Sequence, residues 1–246
     1  MSTSRLIYGF HAVTAKLRHD PEAVKEIIID GSRQDGRARD LLKHAELNKV
    51  KVNTTDGKRL DAMLPGASHQ GVIARVEGAH KALHIDDVLD TLEEPAFLLV
   101  LDGITDPRNL GACLRVADAA GVHAVIAPKD RACGLTEVAI KTASGAAETV
   151  PYITVTNLAR TLRELKERDI WVVGTAGEAE SDLYAADYPK ATAWVLGAEG
   201  EGLRRLTRET CDQLVKIPMF GSVESLNVSV AAGVCLFEAR RRLNRA

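Results

Sequence analysis

Between Pro95 and Gly103 the chain reads Ala96-Phe-Leu-Leu-Val-Leu-Asp102, an apolar run with no polar alternation. Such a run marks a strand buried on both faces, and strands of that kind belong to parallel sheets with helices on each side. The rest of the chain supplies the helices. A helix is predicted over 109–120, closed by Gly121 in the position where left-handed backbone ends helices. A strand over 123–127, a helix over 136–143 and a strand over 150–155 follow. Next come a helix over 157–168 with Asn157 as its cap and strands over 170–175, 193–196 and 214–217. Pro218 stops the last strand, because it has no N–H for the ladder. A long apolar helix is then expected from about Leu226. Strand and helix alternate throughout, so the fold class is α/β with a parallel sheet.

The first third reads as a separate, smaller α/β/α unit. It has a turn at Gly9, helices to about 19, over 37–47 and over 58–64, and strands over 24–29, 50–54 and 71–76. Its expected domain is 1–76, followed by a polar linker over 77–95 and a larger domain over 96–246. Net charge is −2, which argues against binding nucleic acid by bulk charge alone. The imbalance is local. Residues 1–78 hold 13 Lys and Arg against 10 Asp and Glu, and many of the cations fall in connections and at helix starts, where they can follow an RNA backbone or simply be solvated. Aromatic residues make up 4%, too few for a base-stacking platform. Cys113, Cys133, Cys211 and Cys235 lack C-x-x-C spacing, so no zinc or redox pair is expected, and Cys113 and Cys235 read as small core residues. His80 and His84 stand at i, i+4 without a third ligand, so no metal is expected. The sequence shows no signal-peptide apolar segment and no membrane-spanning run, and a cytoplasmic protein is expected.

Ligands of open parallel sheets bind beyond the carboxyl ends of the strands. The unusual polar residues gather in three segments there. The first is Asp102-Gly-Ile-Thr-Asp-Pro-Arg-Asn-Leu-Gly-Ala-Cys-Leu-Arg115. The second is Leu196-Gly-Ala-Glu-Gly-Glu-Gly-Leu203. The third runs from Ile217 through Ser225 and Asn227 into the last helix. The glycines of the second segment are ordered G-x-x-G-x-G with two acids between them, the wrong order for a dinucleotide fingerprint. Carboxylates there would repel a pyrophosphate, so a dinucleotide-dependent oxidoreductase is disfavoured, while a ligand without phosphates is not. Arg115 lies on an otherwise apolar helix and needs either a salt bridge, to Glu199 or Asp118, or a phosphate. Ser225 and Asn227 are helix caps in their plainest reading. The four arginines Arg240, Arg241, Arg242 and Arg245 are a solvated helix end favoured by the dipole, or a phosphate contact.

These three segments, in this order and spacing, resemble the three motifs of the SpoU group within the SPOUT methyltransferases. The resemblance covers the whole chain, and the Tyr8-Gly9 unit is similar to the L30e-like domain that precedes the catalytic domain in the bacterial enzymes acting on a guanosine of 23S ribosomal RNA. It implies a deep trefoil knot, an exception to unthreaded connections, and a homodimer. It also implies S-adenosylmethionine, held by backbone groups of Thr175, Gly197, Ile217, Met219 and Leu226. The reaction implied is methylation of a guanosine 2′-OH in the peptidyl-transferase region of 23S rRNA, without a metal. Asn109, Arg115, Glu199, Ser225 and Asn227 match the catalytic constellation. In this reading Arg115 binds the phosphate beside the target ribose and polarises the hydroxyl. Asn109 and Glu199 orient it, and Ser225 and Asn227 order the third loop. Two alternatives stand beside it: a transfer-RNA ribose methyltransferase of the same group, and a non-catalytic RNA-binding protein of ribosome assembly.

Overall fold

The computed structural model describes residues 4–77, 84–198 and 200–244. Glu199, His80 and Arg245 lie outside them, as does part of the expected linker. The chain divides into two compact units, Met1–Lys81 with Ser144–Thr149, and Ala82–Ala143 with Val150–Ala246.

The first unit carries β1 (Ser4–Tyr8), α1 (Phe10–His19), β2 (Val24–Asp30), α2 (Gly36–Leu47), β3 (Lys51–Thr55), α3 (Gly57–Met63) and β4 (Val72–Glu77). Its sheet has the order β1-β4-β2-β3, with β4 antiparallel to both neighbours and β2 parallel to β3. Ile27, Ile29, Val72 and Ala74 pack against Phe10, Val13 and Leu17 of α1 and Leu41 of α2. Ile28 and Ile73 pack on the other face against Leu60 of α3. That two-sided burial makes the α/β/α layering. Asp35 and Asp56 cap α2 and α3 by accepting backbone N–H bonds, as short carboxylates do at helix starts. The sequence reading passed over β1. Some basic residues of this unit are committed locally: Arg18 contacts His44, and Arg33 bonds Asp35 and lies over the Phe10 ring.

The second unit carries α4 (Ile85–Leu89), β5 (Phe97–Asp102), α5 (Pro107–Ala120), β6 (Ala124–Pro128), α6 (Glu137–Thr142), β7 (Tyr152–Val155) and α7 (Leu158–Lys166). It continues with β8 (Trp171–Thr175), β9 (Ser181–Asp182), β10 (Thr192–Gly197), α8 (Arg205–Thr210), β11 (Gln213–Lys216) and α9 (Val228–Leu243). The strands form one seven-stranded sheet, β7-β6-β5-β10-β8-β11-β9, in which every pair is parallel. All six residues of β5 are buried, as the apolar run required. Leu98, Val100, Ala193 and Val195 face α7, while α5 and α9 pack together and α9 touches β10. Asp106 caps α5 through the Arg108 N–H, Pro107 fills its first turn, and Gly121 closes it with φ 71°. Gly111 lets α5 approach α6: a Cβ there would lie 2.4 Å from the Ala139 carbonyl oxygen. Three elements differ from expectation. The two-residue β9 and the short α8 carry no periodic signal and were not expected. The last helix starts at Val228 rather than near Leu226, with Asn227 as its cap.

The arginine-rich end of α9 is neither a free solvated tip nor an open phosphate site among the described residues. Arg240 donates to the carbonyls of Ala120 and Gly121 at 2.8 and 2.7 Å and lies over the Phe97 ring. Arg241 and Arg242 both bond Glu238, and Arg242 also reaches the carbonyls of Tyr184 and Ala186. Those bonds, that from Arg241 foremost, hold the Glu238 carboxyl down at about 2, against an ordinary 4.5, although burial opposes them. A carboxyl whose folded pKa is depressed adds stability that is complete above the unfolded value and is lost as pH falls through the folded one. Glu238→Gln is therefore expected to cost about 1–3 kcal/mol at pH 7, discounted for the partly exposed arginines. The gap from wild type should shrink to about half or less near pH 3. Urea unfolding of both proteins at pH 7, 5 and 3 checks it, and a gap that does not change with pH refutes the assignment.

Candidate active site

The carboxyl ends of the neighbouring strands β10, β8 and β11 open into one cavity of about 830 Å³. This is the place where an open parallel sheet offers backbone groups to a ligand. Thr175 comes from the end of β8, Gly197 from the end of β10, and Ile217 and Met219 from the segment after β11. Leu226 precedes α9, and all five line the cavity. Ser225 lines it too, but it lies outside α9. The plain reading of both Ser225 and Asn227 as caps therefore holds for Asn227 alone.

Gly197 is there because nothing larger fits. An added Cβ would lie 2.1 Å from the carbonyl carbon of Gly202 and 2.5 Å from the Leu203 nitrogen. Gly202 returns to the strand end, its N–H bonding the Ala198 carbonyl at 2.9 Å. Gly200 and Gly202 take φ of 81° and 67°, values that side chains disfavour. The G-x-x-G-x-G order thus builds a tight return loop.

Asn109 and Asn227 meet across 118 positions of sequence: the Asn227 amide donates to the Asn109 side-chain oxygen at 2.9 Å. The Asn227 oxygen accepts from the Ser229 N–H at 2.9 Å and its hydroxyl at 2.6 Å. One amide therefore caps α9 and ties it to the first turn of α5. Arg115 stands exposed farther along α5, and among the described residues its guanidinium has no ion pair or hydrogen bond. A salt bridge to Asp118 is not found. Position 199, the other partner weighed, is outside the described residues.

Several lining residues were not singled out from sequence. Glu178, Glu201 and Glu224 bring carboxylates, and Arg208 and Lys216 bring cations. Glu178 and Arg208 pair with each other across 30 positions. Net acidity with apolar walls of Ile217, Met219, Leu226 and Val228 suits a cationic ligand without phosphates. S-adenosylmethionine, a sulfonium, fits that donor set, and the volume lies within the usual range of small-molecule pockets. Thiol chemistry has no support here: burial pushes Cys211 and Cys235 up to about 12, so both stay protonated. Among the described residues no group of three or more His, Cys, Asp or Glu is placed to hold a metal ion, and no helix is long and apolar enough to cross a membrane.

A parallel α/β unit with a net-acidic cavity at its strand ends belongs to the class of domains that bind small molecules there. The SpoU rRNA Methylase family matches residues 96–237, and the description "RNA 2′-O ribose methyltransferase substrate binding" matches residues 6–82. The chain belongs to the SpoU rRNA methylase family. It is 63% identical to the 23S rRNA (guanosine-2′-O-)-methyltransferase RlmB of Ralstonia nicotianae, over 98% of this chain and 97% of that one. It is 59% identical to the protein of the same name from Bordetella pertussis, over 98% and 99%. The crystal structure of the SpoU methyltransferase AviRb from Streptomyces viridochromogenes, in complex with the cofactor AdoMet, is 26% identical and covers 99% of this chain and 92% of that one, with a TM-score of 0.77.

Proposed function

We propose that this chain methylates the ribose 2′-OH of a guanosine in 23S ribosomal RNA, in the peptidyl-transferase region, using S-adenosylmethionine. The observation that carries the reading is the cavity at the ends of β8, β10 and β11, lined by Thr175, Gly197, Ile217, Met219 and Leu226. Held by Thr175, Gly197, Ile217, Met219 and Leu226, the bound cofactor would supply the electrophilic methyl group, carried on a sulfonium, that passes to the ribose oxygen.

The work of the chain is alignment and electrostatics. The walls of the cavity exclude water and hold the methyl donor by backbone groups. Arg115 takes the phosphate beside the target ribose and polarises the 2′-OH, since an arginine keeps its proton at neutral pH. Asn109 and Glu199 orient Arg115 and the loop, and Ser225 and Asn227 order the third loop. No metal takes part.

The same reading covers the organisation of the chain. Residues 1–76 form an L30e-like domain that binds the RNA, joined by 77–95 to a catalytic domain over 96–246. The catalytic domain carries a trefoil knot. Support comes from β11, which is inserted between β8 and β9 although these two are joined by only residues 176–180. Thr175 and Ser181 flank Val215 at one level. Two copies form a cytoplasmic homodimer through α9, whose Val230 and Phe237 are exposed apolar side chains.

The test is transfer of labelled methyl groups to 23S RNA transcribed in vitro, with ribose methylation mapped by resistance to alkaline cleavage. One methylated guanosine is expected. Label in transfer RNA alone would replace the substrate, and neither label nor cofactor binding would favour the non-catalytic assembly protein.

A further inference from the structure

Asp102 and Glu238 are buried carboxylates. Glu238 anchors the end of α9. Asp102 ends β5, in register with Gly197 at the end of β10. Its side chain is fully buried and both oxygens are used. One accepts from Nε of Arg204 at 2.6 Å, and the other accepts from the Arg204 backbone N–H at 3.0 Å. A charge so enclosed is tolerated only when paired and hydrogen-bonded.

Both donors belong to the first residue after the loop 198–203. That loop is therefore tied at each end to Asp102 at the end of β5. It enters through the β5–β10 ladder and leaves through Arg204. Between these points its glycines contribute no side chains, and Leu203 packs on the sheet core. The loop forms the cavity wall made by Ala198, Gly200, Glu201 and Gly202. Arg204 also precedes α8, which brings Arg208 to the rim.

We infer that Asp102 and Arg204 are a positioning pair: the buried carboxylate sets how far the glycine loop stands from the end of β10, and so shapes the cofactor wall. Neither side chain lines the cavity, so the pair acts through the loop. This rests on the reading of the cavity as the S-adenosylmethionine site.

The experiment measures S-adenosylmethionine affinity by calorimetry, the KM for RNA and the thermal midpoint. It compares wild type, Arg204→Ala, Arg204→Lys and, as a control with a different buried ion pair, Glu238→Gln. Arg204→Ala is expected to weaken cofactor binding about tenfold or more with the KM for RNA within about twofold, as misplaced groups do in preorganised sites. Arg204→Lys, which keeps the charge, should recover most of that loss, since the backbone N–H is kept in both variants. Glu238→Gln should lower the midpoint and leave cofactor affinity alone, a split that loss of general stability would not produce. Wild-type affinity in Arg204→Ala overturns the pair and leaves the cavity reading standing. An equal loss in Glu238→Gln also overturns it. Should Arg204→Ala fail to fold, Arg204→Gln, which keeps part of the stem and drops the charge, decides: about threefold or more weaker binding supports the pair, and unchanged binding overturns it. If wild type binds no S-adenosylmethionine, the cavity reading falls and this inference with it.

Discussion

Arg115→Ala should lower the single-turnover methylation rate about a thousandfold while leaving S-adenosylmethionine affinity within about twofold, as expected for a group that acts on charge in the transition state. The split follows from where the side chain stands. Arg115 is exposed on α5 and is not among the residues lining the cavity, so the cofactor loses no contact. Among the described residues the guanidinium bonds nothing, so truncation strands no buried partner, and the thermal midpoint should barely move. A solvated arginine on a helix is worth little to stability; a cation that meets an RNA phosphate is worth much to catalysis. Arg115→Lys should recover only part of the rate, because a point charge cannot reproduce a planar two-pronged contact. Rapid-quench methylation with saturating RNA and cofactor, beside calorimetric titration of the cofactor, checks both halves. Turnover within about tenfold of wild type would remove Arg115 from the mechanism. Cofactor binding lost in parallel would make it a structural residue.

What could be read from the chain beforehand follows the range of the interactions involved. β5 was legible because burial on both faces leaves a continuous apolar word, Phe97 to Leu101. Gly121 and Asn157 were legible because helix ends use local chemistry: a left-handed residue at one end, a side-chain acceptor at the other. β1 was missed because an edge strand is half wet, and its residues Ser4 to Tyr8 show no clean alternation. β9 has two residues and α8 has six, each too short for a period to show. The start of α9 was placed early because Leu226 continues the apolar pattern, whereas the structure spends Leu226 on the cavity wall. At the site, the glycine order and the acids between the glycines argue against a pyrophosphate, and Glu201 lines the cavity. The contacts that hold the site were invisible for a different reason. Asn109 meets Asn227, Asp102 meets Arg204 and Glu178 meets Arg208 only after the sheet order β5-β10-β8-β11 is known, and nothing in local sequence encodes that order.

The glycine loop gives the second large effect. In Gly197→Ala the new methyl would meet Gly202 at 2.1 and 2.2 Å and the Leu203 nitrogen at 2.5 Å. All three atoms are backbone, so no side chain can rotate away. The loop must lift, and lifting breaks the Gly202 to Ala198 hydrogen bond and strains the Arg204 contacts to Asp102 beyond it. Overpacking of this kind costs about 1–3 kcal/mol, which a domain of this size can survive. The cofactor wall cannot, because the displaced atoms are the wall. Affinity for S-adenosylmethionine is expected to fall about a hundredfold, since an ångström of displacement is enough for such a loss. Gly134→Ala is the matched control. Its added Cβ meets nothing within 4 Å, and Gly134 is not a lining residue, so stability should change by less than about 0.5 kcal/mol. Calorimetric titration with thermal unfolding of the two variants separates the cases. Gly197→Ala that bound cofactor as wild type does would mean the loop is free to move outward without consequence. The cavity wall would then have to be sought in the segment after β11 alone, from Ile217 to Leu226.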